Sequence, residues 1–194
     1  MKLKLHQLGD PVLRQVAREL NAGEIGSDFI RQLIEHMKEA MRDAPGVGLA
    51  APQIGLPLQL AVIEDRPEYL KDVSKEELRA KGRKPVSFHA MINPRIVRSE
   101  GETQEFFEGC LSFAGYAAIV PRAHKVTVEY LDETGKRKTV SAEGWYARIL
   151  QHEIDHLNGT AYVDRMHTRT LTTMENFNRN WKSRSEEDVL RMLK

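Results

Sequence analysis

The sequence predicts an α+β fold: antiparallel or mixed β-sheets packed around a central helix, with a further helix at the C-terminus. Three observations predict it. Val126, Val128 and Tyr130 alternate with Thr127 and Glu129, DETGKR turns the chain and KTVSA returns, which is a hairpin signal. A segment from Ser141 to Gly159 carries Trp145, Ala147, Ile149, Leu150, Ile154 and Leu157 on nearly all sides of one helix, the pattern of an enclosed element. After Met166 the chain turns polar, with Trp181, Val189, Leu190 and Leu193 as scattered anchors of a last helix.

The elements follow in order. Asp10 and Pro11 read as an N-cap and first helical residue, opening a short turn. Ser27 caps a longer helix in which Ile30, Leu33, Ile34, Met37 and Met41 recur at helical spacing, ended by Asp43, Pro45 and Gly46. GVGLAAPQIGLP, residues 46–57, holds three glycines and two prolines among small apolar residues. It is neither a helix nor a plain strand, and reads as backbone lying close to something. Residues 58–64 form a strand with Leu58, Leu60 and Val62 on one face and Gln59 on the other. Residues 65–87 are charge-rich, with Ser74 and Glu77 as a capping box and Gly82 as an interruption, an excursion from the core. Residues 91–97 are a strand whose Pro94 asks for an edge or a bulge. Ser141 then caps the central helix, with Glu143 in its first turn, and Asn158-Gly159 ends it.

The chain has 194 residues, which suits one domain, 1–194, with a sizeable core. Lys+Arg 29 against Asp+Glu 28 gives no global pull toward DNA or membrane. One cysteine, Cys110, excludes a disulfide-stapled scaffold. The first residues lack a long apolar run, so neither a signal peptide nor a membrane anchor is expected. The expected compartment is the bacterial cytoplasm, or the mitochondrial or plastid matrix if a transit peptide has been removed.

HEIDH places His152 and His156 one helical turn apart on one face. Glu153 lies about 100° round from His152, so it flanks that face and can serve as general base to a water activated by a metal. Asp155 reads as a solvated helix charge. A catalytic site of this type needs a third protein ligand. Tyr162, Asp164, His167, Glu175 and Cys110 are the candidates. Tyr162 is disfavoured because a phenol ionises only near pH 10 or so. Glu175 would make the chain a zinc endopeptidase. Context favours Cys110, with Gly109 before it and the Leu111 amide after it, although a lone cysteine is by itself more often a small buried hydrophobe.

Three segments together resemble the peptide deformylases, whose motifs have the forms G-x-G-L-A-A-x-Q, E-G-C-x-S and Q-H-E-x-D-H. They stand here as Gly46-Val47-Gly48-Leu49-Ala50-Ala51-Pro52-Gln53, Glu108-Gly109-Cys110-Leu111-Ser112 and Gln151-His152-Glu153-Ile154-Asp155-His156. APGVGLAAPQIG, FFEGCLS and GWYARILQHE look like the type 1, organellar-like 1A branch. Phe113-Ala114-Gly115-Tyr116 differs from the Val-Pro-Gly of many bacterial members. The resemblance covers residues 5–170, the catalytic core, and leaves 171–194 as a helical tail.

The resemblance implies one divalent metal ion held by Cys110, His152 and His156, usually Fe(II), with zinc, nickel or cobalt able to replace it. The implied substrate is the N-formylmethionyl end of a nascent peptide, and the products are formate and a free amino terminus. Glu153 would move the proton, while Gln53 and the Leu111 amide would hold the oxyanion. Val47, Gly48 and Gly109 would bind peptide backbone, and Phe106, Trp145 and Ile149 would line the methionine pocket. The basic residues Arg165, Arg169, Arg179, Lys182, Arg184, Arg191 and Lys194 could touch ribosomal RNA near the exit tunnel, but a solvated helix is the stronger reading.

Overall fold

The computed structural model describes residues 3–193; Met1, Lys2 and Lys194 lie outside them. Helix α1 (Asp28–Asp43) starts where its cap predicts, with the Ser27 side chain accepting from the Ile30 amide. Its five predicted apolar residues are buried. They share a core cluster with Leu49, Leu60, Val62 and Ile92.

The glycine-rich segment resolves into strand β1 (Gly48–Ala50) and a 3-10 turn, Ala51–Ile54. Strand β2 (Leu60–Asp65) begins two residues later than expected, since Leu58 makes only an isolated bridge to Arg18. Both faces of β2 are buried: Leu60 and Val62 face the α1 cluster, Ala61 and Ile63 the other. The excursion holds α2 (Pro67–Leu70) and α3 (Lys75–Ala80), the latter capped by Ser74 as predicted. Arg83 closes its base on the buried Asp65, with Nε to Oδ2 at 2.7 Å and Nη2 to Oδ1 at 2.9 Å.

Strand β3 (Val86–Gly109) runs far beyond the expected residues 91–97. Strands β4 (Tyr116–Leu131) and β5 (Arg137–Glu143) form the predicted hairpin, and β6 (Thr172–Thr173) adds to the start of β4. The order is β1-β2-β3-β4-β5, with every strand pairing antiparallel. β3 pairs with β2 up to Ile92 and with β4 from there to Gly109, so it carries the chain from one core to the other. Pro94 sits in a register shift between Ile92 and Arg95, the bulge its missing N–H demands.

Ser141 is not a helix cap. It pairs with Thr127 inside β5, and helix α4 (Gly144–Leu157) follows from Glu143 without a side-chain cap. Gly144 has φ +62°, and a Cβ there would sit 2.8 Å from Lys81 O, so the excursion lies directly on the start of α4. The end of α4 is as predicted, at Asn158 and Gly159. Ala147, Ile149, Leu150, Ile154 and Leu157 bury the helix against Met91, Val126 and Val128. The tail holds α5 (Met174–Asn176), a wider turn at Phe177–Trp181 and α6 (Glu186–Met192). Of its four predicted anchors only Val189 is fully buried.

Candidate metal centre

β3 ends at Gly109, and the chain turns at Cys110, whose carbonyl accepts from Phe113 N at 3.0 Å. The turn places Cys110 over α4. Its Sγ lies 3.2 Å from His156 Nε2, and the donor atoms of Cys110, His152 and His156 all lie within 4.8 Å of one another. Among the described residues this is the one His/Cys/Asp/Glu group that could hold a metal ion.

The other candidates for third ligand are engaged elsewhere. Asp164 accepts from Arg14 and from Ala161 N, and His167 meets Glu105 at 2.8 Å. Glu175 is exposed, pairs with Arg179 one turn along and is not in that group, so the structure does not support the endopeptidase alternative. Tyr162 is buried, with its ring stacked on His152 at 6.3 Å and edge-on to Phe113 at 5.4 Å.

Both histidines are held by their surroundings. His152 Nδ1 donates to Glu108 Oε2 at 3.0 Å, which leaves Nε2 for the site. Burial opposes a charged His152, but Cys110 and Glu108 outweigh it and hold its pKa well above the ordinary value. Burial, with the neighbouring His152, pushes His156 well below. Glu153 lies under Gly48, where a Cβ would come within 2.6 Å of its Cδ, so only glycine allows the carboxyl to sit there. Burial raises Glu153 to about 7, and its Oε2 has no hydrogen-bond partner among the described residues. A carboxyl poised near neutrality can accept and return a proton.

Gln53 is aimed by its own turn. The Ala50 amide donates to Oε1 at 2.8 Å, so Nε2 faces Ser112 Oγ at 3.2 Å and Cys110 Sγ at 3.5 Å. A cleft of about 850 Å³ opens over these groups. Its lining includes Val47, Gly48, Gly109, Leu111, Trp145 and Ile149. Phe106 is not in that lining. It packs edge-on against Trp145 at 6.3 Å, and Phe107 lines the cleft.

A family model for polypeptide deformylase matches residues 2–171. The chain belongs to the peptide deformylase family. It is 51% identical to peptide deformylase 1A, chloroplastic, of Solanum lycopersicum over 87% of this chain and 61% of that one. It is likewise 51% identical to peptide deformylase 1A, chloroplastic/mitochondrial, of Arabidopsis thaliana, over 87% and 62%. The chain thus spans about three fifths of the length of these plant relatives. A Met-Ala-Ser-bound deformylase from Acinetobacter baumannii superposes with TM-score 0.76 at 31% identity, over 86% of this chain and 99% of that one.

Sequence reading of this deformylase-family chain missed a buried ion network. Glu108 accepts from Arg122 at 3.0 Å and from Arg148 at 2.6 Å, besides His152. Asp155 is not a solvated charge. It is 7% exposed and accepts from Arg122 and from Arg165, the latter at 2.6 Å. The available signal was charge at Arg148 and Asp155 in a helix whose apolar residues fall on nearly all sides, since such residues are rarely buried unpaired.

Proposed function

We propose that this chain hydrolyses the N-formyl group from the starting methionine of newly made proteins, releasing formate and a free amino terminus. The observation that carries this reading is a trio of metal-type donors beside a buried carboxyl of pKa about 7, all opening on one cleft. Family membership and the peptide described in the Acinetobacter baumannii relative support it.

In this reading Cys110, His152 and His156 would hold one divalent ion, Fe(II) in the cell, replaceable by zinc, nickel or cobalt. One thiolate and two imidazoles suit such an ion. When bound, the ion supplies the Lewis acidity that makes a water nucleophilic near neutral pH. Glu153 takes the proton of that water and returns it to the leaving amine, a transfer to which a carboxyl of pKa about 7 is matched. Gln53 Nε2 and the Leu111 amide donate to the formyl oxygen as negative charge grows on it, Gln53 giving up its contact to Cys110 or Ser112 while Ala50 N keeps its Oε1 in place.

Beyond Ile92, β3 has β4 on one edge, and its other edge is unpaired among the described residues near Gly109. Among the described residues β1 is likewise paired only with β2. An extended peptide lies between these edges, bonded by the backbone of Val47, Gly48 and Gly109. The methionine side chain enters beside Trp145 and Ile149, with Phe106 bracing Trp145 from behind.

Residues 5–170 are the proposed catalytic core, and 171–194 a tail within the same domain. The proposed compartment is the bacterial cytoplasm. The names of the two plant relatives favour an organelle matrix as second reading. The basic tail is better read as solvated than as a ribosome contact, since Arg179 and Arg191 are taken up by Glu175 and Asp188.

The test is formate release from formyl-Met-Ala-Ser by the nickel-loaded chain. Wild type turns over, and Glu153→Gln loses about 100- to 10,000-fold while keeping its metal. Full turnover in Glu153→Gln contradicts the mechanism.

A further inference from the structure

Two turns carry the working groups of the site. Ala51–Ile54 aims Gln53, and the turn after Gly109 carries Cys110 and the Leu111 amide. Residues 6–8 are tied to both turns. His6 N donates to Gln53 O at 2.8 Å, and Leu8 N donates to Ser112 O at 2.8 Å. Between them, the Gln7 side chain reaches the second turn. Its Nε2 donates to Leu111 O at 3.0 Å, with a longer contact to Leu5 O at 3.4 Å. Its Oε1 accepts from Ala114 N at 3.5 Å.

Leu111 O and Ser112 N belong to one planar peptide unit, so whatever holds the oxygen also sets where the N–H points. That N–H donates to Cys110 Sγ at 3.4 Å. Gln53 Nε2 is a second amide donor on the sulfur, at 3.5 Å. In the reading above Gln53 turns to the formyl oxygen, whereas the Ser112 N–H, fixed in the backbone, stays on the sulfur. A hydrogen bond to the carbonyl of a peptide unit polarises it and strengthens its N–H as a donor. Resting on the deformylase reading above, we infer that Gln7 is a positioning residue for Cys110. By holding Leu111 O it keeps the Ser112 N–H on the sulfur and steadies the turn that presents the Leu111 amide. Gln7 is exposed, and the backbone contacts of His6 and Leu8 hold the segment without it, so its loss leaves the fold intact.

The experiment compares wild type, Gln7→Glu and Gln7→Ala as full chains loaded with cobalt. Gln7→Glu keeps the shape of the side chain and loses the donor. The readouts are the thiolate-to-cobalt charge-transfer band, kcat and KM on formyl-Met-Ala-Ser, and the thermal midpoint. In both variants the band moves to longer wavelength, because a sulfur that has lost an N–H donor gives up electron density more readily. kcat falls by about 2- to 10-fold, the worth of one hydrogen bond, with KM kept. The thermal midpoint stays at the wild-type value. A band at the wild-type position in either variant overturns the inference. So does a rise in KM with kcat kept, the mark of a group that only binds peptide. In both cases the deformylase reading survives. If wild type shows the band and releases no formate, that reading fails, and the band shift still decides whether Gln7 positions Cys110. A wild type without the band removes Cys110 from the ligands and overturns the inference.

Discussion

Two sets of ion pairs in this chain use the same chemistry in different surroundings. Beside α4, Glu108 and Asp155 gather Arg122, Arg148, Arg165 and His152, and the Glu108, Arg122 and Arg148 side chains are each under 5% exposed. On the tail, Arg179 pairs with Glu175 and Arg191 with Asp188, all four of them at least 44% exposed. The buried set sits behind a candidate ligand and determines which ring nitrogen His152 presents. The exposed set only decorates short helices. Burial, not the number of pairs, decides what removing one partner does: buried partners are stranded, exposed ones return to water.

The largest expected effect is at Glu108. Glu108→Ala leaves Arg148 with backbone carbonyls alone and Arg122 with Asp155 alone, and frees His152 Nδ1, so unfolding free energy falls by about 3–5 kcal/mol. Metal affinity falls by about 10- to 100-fold. Denaturant titration and competition with a chelator read the two losses, and wild-type values in both would erase the contrast. A middle effect is expected at Tyr162, whose buried hydroxyl has no partner among the described residues. Tyr162→Phe removes an unsatisfied group without disturbing the network, so stability rises by up to about 1 kcal/mol. A loss of 2 kcal/mol or so in the same titration would mean the hydroxyl has a partner after all. The smallest effect is at the tail pair, where Arg179→Ala shifts stability by less than about 0.5 kcal/mol, and less still in high salt.

Legibility followed the reach of the signals. α1, the α3 cap, the β4–β5 hairpin and the end of α4 were readable because their signals are local: a cap, a turn, a helical period. β3 was legible only in part, because Pro94 and Gly101 break its pattern and its pairing partners lie far along the chain. The start of α4 was misplaced because Ser141 looks like a cap, whereas β4 claims it for a strand. At the site, Cys110, His152, His156, Glu153 and Gln53, which the fold brings together, stand in compact motifs, whereas Glu108 and Asp155 stand in the same motifs and their burial was not legible. Arg122, Arg148 and Arg165 were not legible either, since each acquires its role from a carboxylate brought near only by the fold. Gly48 was legible as a place of close approach, but what approaches is Glu153.

Cys110 lies where it would complete the donor set begun by His152 and His156. Metal content per chain after nickel loading and desalting tests this role of Cys110 most directly, in Cys110→Ala and Glu175→Ala side by side. Cys110→Ala loses the metal, and Glu175→Ala keeps the wild-type amount. Retention in Cys110→Ala with loss in Glu175→Ala would contradict that role.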